Sequence, residues 1–174
     1  MPSPISTRRV CALNAAELFV LCALRLVAPA VRAKRDIDAR CREGFECARL
    51  SLAHARHLAN AIRIMDDAQG RPIDIREIRC AEASADEERL LQVLLLLQHE
   101  NEFGARRVLW TALPPKAARS ALGCLGELAR GMVRAGLHLP TFPYALRPCP
   151  AETLAARQLG IAPTSTSGET FWIH

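Results

Sequence analysis

The sequence predicts an all-α fold, an irregular bundle of five or six helices around a central leucine-rich helix at about residues 85–99. Ala and Leu together make up 53 of the 174 residues, and both favour helix. Aromatic residues account for only 5% of the chain and β-branched residues are sparse, which disfavours strands. Half of the residues are hydrophobic and 24% are charged, a balance typical of a globular protein with a packed apolar core rather than of an unfolded chain.

The first predicted helix runs from about residue 15 to residue 28. Asn14 and Glu17 have the spacing of a capping box, in which each side chain bonds the backbone amide of the other residue. Glu17 and Arg25 are the polar residues of this segment, so most of its circumference should be buried. We expect Pro29 to end or bend the helix.

A long helical stretch follows at residues 34–65, where apolar residues recur every three or four positions. Gly44 weakens its interior by about 1 kcal/mol relative to Ala, and it is where we expect any division into two helices. Residues 66–72 are predicted to form a loop. Residues 73–80 alternate briefly between apolar and polar types, but they have no partner strand, so we interpret them as a packed connector.

The clearest helix signal begins at Ser84. Ser84 and Glu87 form a second capping-box pattern, and acidic residues fill the first turn, where the helix dipole favours negative charge. The leucine-rich run at residues 90–97 leaves only a thin polar line. The helix at 85–99 should therefore lie among other helices and form the hub of the core.

Two further helices are predicted before the chain changes character. Asn101 should cap a short one, and the segment 116–135 keeps an apolar stripe until Gly136 caps it. Gly123 and Gly126 lie on that stripe, so we expect them to permit close contact with a neighbouring helix.

The boundary of the domain is predicted near residue 140. Residues 1–140 should form a single helical domain, and residues 141–174 a Pro-rich extension with a flexible tail. The chain ends in strongly apolar residues. Phe171 and Trp172 are predicted to dock onto the protein's own surface, and the alternative is that they are offered to a groove on another molecule.

The net charge of +5 is unevenly distributed. Residues 1–63 carry eleven Lys and Arg against five Asp and Glu, residues 64–104 four against ten, and residues 105–174 eight against three. Of the 23 basic residues 21 are Arg, a bias that GC-rich codons would explain, so arginine richness alone does not identify a nucleic-acid binder. The open question is whether the two positive segments converge on one face or neutralise the negative one.

The cysteines and the amino-terminal region indicate the cellular compartment of the protein. Seven cysteines, an odd number without a C-x-x-C pair, do not fit a secreted disulfide scaffold, and most lie in apolar stretches where a thiol acts as a small hydrophobe. The apolar run at 18–31, after Arg8 and Arg9, has the outline of a signal peptide, but Arg25 lies inside it and it is too short to span a membrane. We expect a cytoplasmic protein without a membrane span; the alternative is export, through a twin-arginine signal at Arg8 and Arg9 or a lipid anchor at Cys22.

Two histidines are the candidate metal ligands of the sequence. His54 and His57 lie three residues apart on one predicted helix and could share a metal ion, but both would need ligands from elsewhere in the fold. Cys47 is about 10.5 Å from His54 along a continuous helix, too far for one tetrahedral ion. We therefore predict that the histidines lie at the edge of an amphipathic helix and that the protein has no metal.

The sequence contains no constellation that demands a particular chemistry. His99 beside Glu100 and Glu102 could supply a general base, but the group lies at a helix junction and no nucleophile-bearing turn accompanies it. A Gly-rich phosphate loop is also missing. We therefore predict no catalytic residue and no cofactor.

A basic surface is the other possible source of function. A helix-turn-helix reader at residues 116–139 would direct its arginines towards phosphates, but the stripe that continues across the glycines favours one helix, and side chains able to read base edges do not cluster there. The residues predicted to contact a partner are Arg119, Arg130, Arg134, Phe171 and Trp172.

One region combines Cys80, the Asp86–Glu87 pair, a leucine-rich helix ending at Gln98, and an A-G-L-x-L-P sequence at 135–140. In this layout the chain resembles small all-helical proteobacterial proteins of unknown function. The resemblance covers about residues 80–140, and it implies a bacterial helical protein without implying an activity.

These observations favour a non-catalytic regulatory or adaptor module that acts through contacts with a protein partner or with copies of itself. The alternative is a helix-turn-helix-like regulator that binds nucleic acid through the Arg-rich segments. That alternative predicts salt-sensitive binding to DNA.

Overall fold

The computed structural model describes residues 9–37 and 39–141. In this part of the chain there are six α-helices and no strand: α1 (Ala15–Arg32), α2 (Ala39–Cys47), α3 (Leu52–Gln69), α4 (Ala85–Gln98), α5 (Glu102–Trp110) and α6 (Pro115–Arg134). One turn of 3-10 helix precedes them, and an isolated antiparallel bridge joins Arg9 to Glu82. The predicted all-α bundle is confirmed, whereas the predicted tail lies outside the described residues from position 142 onwards. Within the described ranges, no helix has the length and apolar character needed to cross a membrane.

The core is organised around α4 and α6. α4 packs against α1, α5 and α6, and α6 packs against α3, α4 and α5, with the most extensive pairing between α3 and α6. Leu90, Leu91 and Leu94 of α4 are fully buried, and the last leucines of that helix are partly buried against the same core. The leucine-rich helix is central as predicted, and α6 shares that position.

Both predicted capping boxes are present. The backbone amide of Asn14 donates to Glu17 Oε2 at 2.7 Å, and the amide of Glu17 donates to Asn14 Oδ1 at 2.8 Å. The amide of Ser84 donates to Glu87 Oε2 at 2.8 Å, and the amide of Glu87 donates to Ser84 Oγ at 3.1 Å. Reciprocal bonds of this kind satisfy amides that a helix start leaves without partners, so α1 and α4 begin where the sequence predicts.

The predicted end of α1 at residue 28 is wrong, because the helix continues past Pro29 to Arg32. Proline removes one backbone hydrogen bond from a helix, but contacts of the following turn offset that loss. Arg32 donates to the backbone carbonyl of Ile73 at 2.6 Å and to Asp66 Oδ2 at 3.3 Å. The last turn of α1 is therefore held by tertiary contacts that local sequence does not contain.

The stretch predicted at 34–65 divides into α2 and α3, but Gly44 is not the point of division, since it lies inside α2. The chain turns at Arg49, which adopts a left-handed φ of 58°. The amide of Leu50 donates to the Phe45 carbonyl at 2.8 Å, a bond typical of a Schellman cap. α3 then extends four residues beyond the predicted end and takes in residues 66–69 of the expected loop at 66–72.

The connector between α3 and α4 is irregular, as predicted, and side chains of the helices hold it in place. Arg25 of α1 donates to Glu87 through Nε at 2.8 Å and Nη2 at 3.0 Å, and both side chains are buried. The same guanidinium donates to the backbone carbonyls of Cys80 and Glu82, each at 2.7 Å. One buried arginine thus supplies hydrogen bonds that a segment without regular structure would otherwise lack.

The ion pairs show how the charged segments of the chain interact. Arg25 and Arg32, from the first basic segment, pair with Glu87 and Asp66 of the acidic segment. The ion pairs of α5 and α6, in contrast, join residues of the same helix. The acidic segment is therefore partly neutralised by α1, while the basic side chains of α5 and α6 other than Arg106 stay at the surface.

Candidate functional site

A groove of about 280 Å³ lies between the end of α4, α5 and α6, and we call it the basic groove. Its charged lining consists of Glu102, Arg106, Arg119 and Arg130. Leu97 of α4 and Leu122 of α6 contribute apolar surface, and two glycines of α6 complete it. The groove can therefore receive a ligand that carries negative charge next to an apolar group.

The spacing of residues on α6 builds one wall of the basic groove. Arg119, Gly123, Gly126 and Arg130 follow one another at intervals of four, three and four, which places them on one face of a helix. A Cβ at position 123 would meet no atom within 4 Å, and a Cβ at position 126 would meet Arg130 Nη1 at 3.6 Å. The expectation that these glycines permit close helix contact is wrong, since their missing side chains leave space between two arginines instead.

The close helix contact occurs at a different glycine. The ring of His54 on α3 lies against Gly131 on α6, so that a Cβ at position 131 would overlap its Nε2 and Cδ2 atoms. The other ring nitrogen, Nδ1, accepts a hydrogen bond from the backbone amide of Ser51 at 3.1 Å and completes the cap of α3. His54 is therefore a packing and capping residue in this fold.

The three arginines of the basic groove differ in how they are paired. Arg106 Nη2 donates to Glu102 Oε1 at 2.8 Å, whereas its Nε is buried and has no hydrogen-bond partner among the described residues. Arg130 donates to Glu127 at 2.5 Å, and this hydrogen bond and the positive charge lower the pKa of the Glu127 carboxyl. Arg119 makes no ion pair within the described part of the chain. The groove thus retains unused donors.

Two exposed aromatic side chains lie next to the basic groove. Phe103 is 65% exposed and Trp110 is 45% exposed, and their spacing of seven residues places them on one face of α5. Arg106, one turn after Phe103, lies between this aromatic stripe and the groove. Large exposed aromatic groups two turns apart on one helix face indicate a contact surface, because isolated folded domains bury most such groups.

The predicted contact residues fall into three groups. Arg119 and Arg130 line the basic groove. Arg134 is exposed at the end of α6, one turn beyond Arg130, and does not line the groove. Phe171 and Trp172 lie outside the described residues.

Sequence reasoning missed Arg106, Phe103 and Trp110. The available signal was the spacing of the two aromatic residues, which sets them apart from Ala105 and Leu109 on the buried face of the same short helix. Arg106 lies beside the arginines of α6 because α5 packs against α6, and no pattern within α5 indicates that contact.

The described histidines and carboxylates do not assemble a metal centre. His57 lies near enough to Glu127 to contribute to the lowered pKa of that carboxyl, but the described residues contain no group of three or more His, Cys, Asp or Glu side chains placed to hold an ion. His99 is exposed at the end of α4, and Glu100 beside it adopts a left-handed φ of 56°. These residues form a helix terminus.

The cysteines occupy different environments. Cys11 is disulfide-bonded, and the other five described cysteines carry free thiols. Burial raises the pKa of the thiols of Cys22 and Cys124, which keeps both protonated at neutral pH. Cys41 is buried and Cys47 is exposed.

The residues that carried the resemblance lie at two structural contacts. Gln98 Nε2 donates to the Leu137 carbonyl at 2.9 Å, and Gln98 Oε1 accepts from the Leu139 amide at 2.8 Å. The Cys80 carbonyl and the Glu87 carboxylate accept from the same arginine of α1. The hydrogen bonds of each motif thus join an irregular segment to a helix.

Compared with known proteins, the chain matches no protein family, no curated protein and no solved structure. A functional assignment therefore depends on the basic groove and the aromatic stripe themselves.

Proposed function

We propose that the protein is a non-catalytic regulatory or adaptor module that binds a protein partner through the basic groove and the aromatic stripe. The observation that carries the proposal is their juxtaposition, with three arginines around an apolar-lined groove and two exposed aromatic side chains on the adjoining helix face. Arginine and aromatic residues are enriched where protein interfaces gain most of their binding energy.

The charge of the surface defines the chemistry of the partner. Residues 102–134 carry six Lys and Arg against two Asp and Glu. A segment with Asp or Glu beside Leu or Phe would place carboxylates near the arginines and apolar groups near Leu97, Leu122 and the aromatic stripe. Such charge complementarity speeds association and excludes basic partners.

The continuity of α6 favours this proposal over nucleic-acid binding. A helix-turn-helix reader at residues 116–139 needs two helices joined by a turn, whereas Pro115–Arg134 is one uninterrupted helix. This continuity supports a site for a side chain or a short peptide in the basic groove.

The proposal includes a location in the bacterial cytoplasm. Five free thiols among the described cysteines support a reducing compartment, while the disulfide of Cys11 does not. Thiol trapping in intact cells followed by mass spectrometry would measure the redox state of Cys11. Complete oxidation in the cell would contradict the cytoplasmic assignment.

Selection of displayed random peptides on the purified full chain tests the function. We expect enriched sequences that place Asp or Glu beside Leu, Phe or Trp. Arg119→Ala should weaken their binding, measured by fluorescence anisotropy, by about tenfold, the effect of one charged contact. Arg42→Ala removes the same charge from α2 and should leave the affinity unchanged.

Three outcomes would overturn the proposal. The first is a selection that enriches no acidic residues. The second is binding of duplex DNA that weakens steeply with salt and is lost with Arg119→Ala, which would establish the nucleic-acid alternative. The third is a dimer, seen by light scattering, that Phe103→Ser dissociates, since the partner would then be a second copy of the chain.

A further inference from the structure

We infer an oxyanion subsite at Arg106 that receives one carboxylate of the partner. The inference deepens the proposed function and rests on it. Arg25 shows a complete site of this kind, since its Nε and Nη2 both bond Glu87. Arg106 uses only Nη2, bound to Glu102, and its buried Nε has no partner among the described residues. Nε and Nη2 thus both have acceptors in Arg25, whereas in Arg106 only Nη2 of these two has one among the described residues.

Because Nε of Arg106 has no acceptor in the described part of the chain, a carboxylate that binds both Nε and Nη2 can replace Glu102. A buried donor without an acceptor costs free energy, and a carboxylate that meets both donors recovers it. The side chain of Glu102 is 63% exposed and begins α5, so it can turn into solvent without losing buried contacts. Glu102 therefore acts as a provisional acceptor that a partner carboxylate displaces.

The remaining arginines set the spacing of the partner's charges. Arg119 and Arg130 are eleven residues apart on α6, about 16.5 Å at 1.5 Å per residue. Glycine occupies the two positions between them that face the groove, so an apolar side chain of the partner can lie there against Leu122. The preferred ligand is thus an apolar residue with acidic residues on both sides.

Arginine side-chain NMR tests the subsite without a partner protein. The Nε–Hε signals of the 15N-labelled chain would be followed while tricarballylate, a flexible tricarboxylate, is added, with sodium chloride at equal ionic strength as the reference. We expect a saturable shift of the Arg106 signal, assigned by its loss in Arg106→Lys, and no shift of the Arg42 signal. The subsite is wrong if the Arg106 signal moves no more than that of Arg42.

Two variants test this geometry, and the second, which keeps the charge, separates it from general electrostatic attraction. Glu102→Gln removes the competing carboxylate and should tighten tricarballylate binding about threefold, whereas Arg106→Lys keeps the charge but loses the paired donors and should weaken it about fivefold. Circular dichroism confirms that both variants fold. Equal affinity of all three proteins would overturn the subsite.

The same variants distinguish the two proposals. If acidic peptides bind and depend on Arg119 while Arg106→Lys binds them as well as the wild type, the subsite is wrong and the adaptor function stands. If the Arg106 signal responds to tricarballylate but no acidic peptide is selected, the subsite stands and the proposed function is wrong.

Discussion

Arg25 and Glu87, 62 residues apart in the chain, form a buried bidentate ion pair that joins α1 to the first turn of α4. The hydrogen bond and negative charge of Glu87 raise the pKa of Arg25, so the guanidinium stays protonated at neutral pH. Glu87 also accepts from the amides of Ser84 and Arg76. One carboxylate thus caps a helix, neutralises a buried cation and fixes the connector.

Removal of this carboxylate should be strongly destabilising. Glu87→Ala leaves a buried cation without its counter-ion and should cost about 3–5 kcal/mol of unfolding free energy, measured by urea denaturation. Adding Arg25→Met should restore part of the loss, because the unpaired charge disappears. Arg130→Ala, which breaks an exposed ion pair on α6, should leave the midpoint almost unchanged. A small effect of Glu87→Ala would mean that water already solvates this pair.

The contact between His54 and Gly131 predicts a specific coupling. Gly131→Ala would place a methyl group on the imidazole, and we expect a loss of about 1–3 kcal/mol, typical of overpacking. His54→Ala in the same chain should remove most of that penalty, which a double-mutant cycle measures as a coupling energy. Gly44→Ala, at an open position of α2, should instead stabilise by about 0.5–1 kcal/mol. Additive effects at 54 and 131 would contradict the contact.

The left-handed turn at Arg49 predicts a stabilising substitution. Arg49 is exposed and has a φ of 58°, a conformation that glycine adopts without the penalty of about 1–2 kcal/mol borne by other residues. Arg49→Gly should therefore raise the melting temperature by several degrees, measured by calorimetry. Arg56→Gly, the same change inside α3, should lower stability by about 1 kcal/mol. Destabilisation by Arg49→Gly would show that its side chain makes a contact that matters more than the strain.

Thiol environments predict an order of alkylation. Cys47 is exposed and should react first with iodoacetamide at pH 8, whereas the raised pKa values of Cys22 and Cys124 keep their reactive thiolate forms scarce. Raising the pH to 10 should accelerate the two partly buried cysteines by increasing their thiolate fraction. Peptide mapping by mass spectrometry follows each site separately. Faster labelling of Cys124 than of Cys47 at pH 8 would contradict the described burial.

The sequence predicted helix starts better than helix ends, for a physical reason. The capping boxes at Asn14 and Ser84 are complete within four residues, so local sequence contains the whole signal. The end of α1 depends on bonds from Arg32 to a connector 41 residues away. The break after α2 depends on a left-handed arginine where glycine would have been the recognisable signal.

The α6 wall of the basic groove could be predicted from the sequence, whereas the α5 wall could not. Arg119 and Arg130 share a helix, so their common face follows from spacing alone. Arg106 joins them only because α5 packs beside α6. The two glycines of the α6 wall were interpreted as helix contacts, whereas Gly131, which none of the sequence patterns singled out, makes that contact.

Because there is open space around Gly123, a substitution there can block peptide binding without lowering the stability of the protein. Gly123→Leu adds a side chain to the basic groove where no atom lies within 4 Å of the new Cβ, and it replaces a poor helix former with a good one. We expect a higher melting temperature together with loss of acidic-peptide binding, measured by calorimetry and anisotropy. Gly44→Leu makes the same change at an open position of α2, so it should raise stability and leave binding intact. Undiminished binding by Gly123→Leu would place the peptide outside the basic groove, because a filled groove cannot admit an apolar side chain between Arg119 and Arg130.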